Sequence, residues 1–116
     1  MDLDVAIQQL QRVLASERRS GPWSWQVRQH LGQVRHALEC DRVRSFDGWL
    51  NARASHTDRV RRQLMARISA ITDQEQPDAD RLRGLAARLL TDLEHFQQRV
   101  RDLNYDAVAL EIGGSE

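Results

Sequence analysis

Four runs of apolar residues recur at alternating spacings of three and four, and this period constrains the fold more than any other feature of the chain. Leu3, Ile7, Leu10 and Leu14 form the first run, widened by Ala6 and Val13. Val27, Leu31, Val34 and Leu38 form the second. The third starts at Leu50, passes through the polar pair Arg53 and Thr57, and continues through Val60, Leu64, Ile68 and Ile71. Leu82, Leu85, Leu89, Leu93, Phe96, Val100, Leu103 and Ala107 make the fourth and longest. Such spacing lines one face of an α-helix and does not fit the period of two of a half-buried strand.

The breaks between the runs carry helix-ending and helix-starting residues. Ser20-Gly21-Pro22 offers a glycine to close one helix and a proline to open the next. Phe46-Asp47-Gly48 offers Asp47 as a cap for the third helix. Asp73 to Asp78 is polar and contains Pro77. The pattern predicts helices over about 2–18, 22–43, 48–71 and 78–110, with 113–116 as a flexible tail. Short loops between amphipathic helices favour antiparallel neighbours. The expected fold is therefore all-α, an up-down-up-down antiparallel four-helix bundle forming one domain over 1–112. The fourth helix outruns the first, so its C-terminal end is expected to overhang.

Composition agrees with thin helical packing: 41% of the 116 residues are hydrophobic and 29% charged. The single cysteine, Cys40, forbids an internal disulfide and suits a reducing compartment. The start, Met1-Asp2-Leu3-Asp4, lacks the positive region of a signal peptide, and no apolar run approaches the roughly 20 residues that span a bilayer. These features predict a cytoplasmic protein without a membrane partner.

All 17 basic side chains are arginine, balanced by 17 acids. From Arg18 to Arg67 there are 11 arginines against four acids, whereas from Ile68 onward there are five against ten. Helices of opposite charge laid side by side account for this asymmetry. A basic face formed by Arg28, Arg35, Arg42 and Arg44 with Arg59, Arg61, Arg62 and Arg67 is the other reading, and it points to nucleic-acid phosphates.

Titratable side chains are present on three helices: His30, His36, Glu39 and Cys40; His56 and Asp58; Asp92, Glu94 and His95. Inward side chains on facing helices are how bundles build metal sites. At about 100° per residue, however, His36 falls nearly opposite the second apolar face, and His95 lies roughly 115° from the centre of the fourth. Cys40 and His36 stand one turn apart, the spacing of a nucleophile and its base, but both are off the apolar face. No phosphate loop, dinucleotide fingerprint or zinc-ligand spacing occurs. The sequence thus calls for no cofactor and leans away from catalysis.

The helical layout, His36 with Cys40 four residues on, His56 in the third helix and Leu93-Glu94-His95 in the fourth resemble hemerythrin-like four-helix bundles. Where that family pairs His with Glu at this spacing, position 40 is Cys. The first helix has no histidine, and the third lacks a second one four residues away. The resemblance implies a bundle with a degenerate metal-ligand set, in which His36, His56 and His95 are what remains.

The reading that uses most of the chain is a non-catalytic module that binds a protein partner or itself. Its contact candidates are the off-stripe residues Trp25, Cys40 and Val43, and the end of the fourth helix around Tyr105, Val108 and Leu110. Trp23 and Trp25 project from opposite sides of one helix, so only one of them is expected in the core.

Overall fold

In the computed structural model the chain is all-helical, with no strand among the described residues, which are 2–16, 21–40, 48–74 and 78–114; the side chains of 21, 22 and 110–114 lie outside that set. The helices are α1 (Leu3–Ala15), α2 (Gly21–Cys40), α3 (Trp49–Thr72) and α4 (Ala79–Gly114). None is long and apolar enough to cross a membrane.

Helix ends differ from the expected ones where backbone geometry intervenes. α1 stops at Ala15 because Ser16 is extended, with φ −67° and ψ 131°. α4 runs on through Gly113 and Gly114, where a frayed tail was expected to begin. Asp47, the expected cap of α3, lies outside the described residues; the residue before the helix is Gly48, at φ 67° and ψ −142°. That left-handed φ suits glycine, and a β-carbon there would be strained.

The apolar stripes meet in one main core. Leu3, Ile7 and Leu10 of α1, Val27, Leu31, Val34 and Leu38 of α2, Leu64 and Ile68 of α3, and Leu82, Leu89, Leu93 and Phe96 of α4 are all buried within it. At roughly 1.5–3 kcal/mol for each large side chain removed from water, this cluster is the dominant favourable contribution to folding. α1 packs on α2, α2 on α3 and α3 on α4, with a thinner contact between α1 and α4.

In the middle of α3 the buried stripe runs Leu50, Ala54, Thr57, Arg61, Leu64, Ile68 and Ile71. This corrects the sequence reading, which carried it through Arg53 and Val60. The true seam lies one residue later at both positions, so Arg61 is buried and Arg53 moves to the rim. Thr57 satisfies its buried hydroxyl by donating to Arg53 O of the preceding turn, at 2.8 Å.

The last four carbonyls of a helix lack partners within it and carry the negative end of its dipole. Arginines from neighbouring helices supply the missing donors. Arg83 of α4 donates to Leu14 O at 2.7 Å and Ser16 O at 3.0 Å, at the end of α1. Arg61 of α3 donates to Leu38 O at 2.9 Å, two residues before the end of α2. Arg28 of α2 donates to Gln74 O, just beyond α3. Trp23 adds its indole N–H to Val13 O at 2.9 Å, beneath the Arg83 guanidinium, which lies 5.8 Å from the ring centroid. Neither α2 nor α3 has a basic residue of its own in its last turn.

Candidate interaction surface

The molecule measures 60 × 22 × 21 Å, and among the described residues one end is built from α3 and α4. α1 begins beside Phe96, Val100 and Arg101 of α4. α2 ends near the level of Arg61, which reaches Leu38. Past those levels, Leu50 and Ala54 of α3 join Leu103 and the partly buried Ala107 of α4 in a second, smaller core. All four residues come from α3 and α4. The 12 residue steps from Trp49 to Arg61 correspond to about 18 Å of helix at 1.5 Å per residue.

Polar pairs hold this end together. Arg53 Nη1 bonds Asp106 Oδ2 at 2.7 Å, while its guanidinium lies 5.4 Å from the centroid of the Trp49 ring. Arg99 donates to His56 Nε2 at 2.8 Å, which puts the imidazole proton on Nδ1 when the ring is neutral. Asp102 accepts from Gln98 at 2.9 Å. Between the helices these residues line a groove of about 410 Å³, floored by Thr57 and Leu103 and walled by Ala52, Arg53, His56, Arg99 and Asp102.

Large apolar side chains crowd this end. Trp49 is 59% exposed, Tyr105 75% and Val108 53%. Among the described residues the other exposed large hydrophobics are Val5 and Trp25. Trp49 stands three residues before Ala52, and Tyr105 three residues after Asp102. Each therefore continues a groove wall along its helix face. A second groove of about 230 Å³ follows the same seam past Val60, Gln63, His95 and Phe96, and Arg99 borders both.

Of the residues singled out from sequence, Tyr105 and Val108 belong to this end. Leu110 is in α4 but its side chain lies outside the described set, as does the whole of Val43. Trp25 is 62% exposed, yet it stands near the start of α2, where Arg28 meets Gln74. The 21 residue steps from Arg53 to Gln74, through α3 and its end, put it about 30 Å from Tyr105 along the molecule. Cys40 is exposed, with Sγ 3.7 Å from His36 Nε2. Trp23 is buried and Trp25 is not, in keeping with the expectation that both could not enter the core.

The three histidines of the metal alternative are not brought together. His36 is with Cys40, His56 with Arg99, and exposed His95 lines the second groove beside Asp92, which Arg67 holds at 2.6 Å. Among the described residues no group of three or more His, Cys, Asp or Glu is placed to hold a metal ion.

The basic face of α2 and α3 is thinner than the sequence suggests. Arg61 is buried, Asp58 bonds both Arg61 and Arg62, Arg67 pairs with Asp92, and Arg28 reaches across to Gln74. Arg35 and Arg59 are exposed, and Arg42 and Arg44 lie outside the described residues.

Trp49 was not among the contact candidates read from the sequence, yet it is exposed at this end. Its signal is its position, one residue ahead of the stripe residue Leu50 and thus about 100° off the buried face. No family model matches the chain, and neither a curated protein nor a solved structure matches it.

Proposed function

We propose that this protein is a non-catalytic helical module whose two-helix end binds another protein chain. The observation that carries this reading is the concentration of Trp49, Tyr105 and Val108 around a groove at the end that, among the described residues, α3 and α4 form. Tryptophan and tyrosine are the side chains on which protein interfaces most often depend, because they bury a large rigid surface at low entropic cost. A neighbouring arginine that stacks and pairs, as Arg53 does, presents a preformed rim.

We read the four helices as an up-down-up-down antiparallel bundle. Support comes from Asp4 of α1 meeting Arg101 while Leu14 meets Arg83, and from Arg53 meeting Asp106 while Arg67 meets Asp92. The body of the bundle then serves to hold α3 and α4 rigid while their ends project. The single exposed cysteine suits a cytoplasmic setting.

Site-specific photocrosslinking in the native cell tests the proposal. A photoreactive side chain at position 49 or 105 is expected to form protein adducts, whereas one at exposed Arg88, on the four-helix body, is not. Equal labelling at all three positions, or none at 49 and 105, would overturn it.

A further inference from the structure

Resting on the reading of this end as an interaction surface, we infer that its occupant is a second copy of the same chain. Two copies lie side by side, with α3 of each across the groove from α4 of the other.

Charge supplies the first argument. The start of α3 carries Arg53 and Arg59 and one acid, Asp58, which is held by Arg61 and Arg62, whereas α4 from residue 102 onward has Asp102, Asp106 and Glu111 and no basic residue. A surface with a basic half and an acidic half is its own complement under a two-fold rotation, as an isologous dimer requires. Among the described residues Asp102 takes a hydrogen bond from Gln98 but pairs with no arginine.

Register supplies the second. Arg53 is level with Asp106, and His56 with Arg99. A two-fold axis parallel to the helices keeps every level matched to itself. His56 then faces the partner's Asp102, Ala52 faces the partner's Tyr105, and Trp49 comes beside the partner's Val108. An axis across the helices would instead stack α3 on α3 and α4 on α4, opposing like charges.

Area supplies the third. Trp49, Tyr105 and Val108 together expose on the order of 400 Å². A standard interface buries about 800 Å² per partner, a little over half of it apolar. The exposed apolar surface of this end thus matches what one side of a stable dimer needs.

Light scattering on the full chain tests the inference. The expected mass at high concentration is twice the 13.4 kDa of one chain. His56→Asp sets a carboxylate opposite the partner's Asp102, and Asp102→Arg removes the carboxylate that His56 faces; each is expected to weaken self-association at least about tenfold. An equimolar mixture of the two variants sets opposite charges at one contact, keeps the parent pair at the other, and is expected to recover the dimer. Both positions are exposed, and helicity by circular dichroism checks the fold of each variant. Trp49→Ser is expected to be monomeric and serves if either charge variant misfolds.

A single-chain mass at every concentration, single variants that dimerise like the parent, or a mixture that stays monomeric would overturn the inference. A monomer that nevertheless forms adducts with a different protein at position 49 or 105 would remove the second copy as occupant and leave the interaction module standing. A monomer without such adducts would remove both.

Discussion

The four-helix body and the two-helix end obey the same stripe pattern and reach different outcomes. In the body each stripe finds neighbours on two sides, and residues such as Leu10, Leu31, Ile68 and Leu89 are fully buried. At the end the core is Leu50, Ala54 and Leu103 with Ala107 against them, and Trp49 and Tyr105 remain in solvent. Two helices form a single layer with one inner face, whereas a stable domain requires a second layer. The difference gives the body its cohesion and leaves Trp49 and Tyr105 uncovered at the end, where the proposed function places recognition.

The most forceful way to test that division is to cut into both cores alike. Leu89→Ala, in the body, is expected to cost about 2–5 kcal/mol and to lower the melting temperature by more than about 10 °C. Arg61→Ala removes the donor to Leu38 O and the partner of Asp58. Its expected cost is about 2 kcal/mol in chemical denaturation, and Arg61→Lys should recover only part of it, because one ammonium does not reproduce the planar fork.

Leu103→Ala, at the end, is expected to cost roughly 1–2 kcal/mol, since a thin layer relaxes around a lost side chain. Its clearer signature is local: hydrogen exchange should accelerate over residues 50–57 and stay slow over 27–38. Equal effects of Leu103→Ala and Leu89→Ala, locally and globally, would show that the two regions are one cooperative core. The smallest effect belongs to Arg53→Ala. Its ion pair is 38% and 41% exposed, so about 0.5 kcal/mol is expected, within reach of careful thermal melts.

Much of the helical pattern was legible in the sequence because burial follows the spacing of leucine, isoleucine and valine. The stripes of α1 and α2 were read almost residue for residue. The misreading in α3 has a physical origin. Between Leu50 and Leu64 no large aliphatic residue lies on the buried face, so spacings through 53 and 60 or through 54 and 61 looked alike. The correct choice put an arginine in the core, which is acceptable only because a carbonyl of α2 and a carboxylate of Asp58 are there to receive it. Asp58 stands three residues away on the same helix, but the Leu38 carbonyl comes from tertiary packing, and a single-helix pattern contains no trace of it. At the candidate surface, Tyr105 and Val108 were legible as off-stripe apolar residues. The groove was not, because it depends on the register between α3 and α4.

The arginines at the helix ends also shape how the chain can be divided. Arg83 of α4 closes α1, Arg61 of α3 closes α2, and Arg28 of α2 closes α3. Excising any of α2, α3 or α4 therefore withdraws a hand that another helix was holding. α1 is the exception: it receives closure and offers none of these arginine contacts to its neighbours. A fragment lacking α1 would keep the arginine contacts that close α2 and α3, but it would uncover the main core where Leu3, Ala6, Ile7 and Leu10 pack.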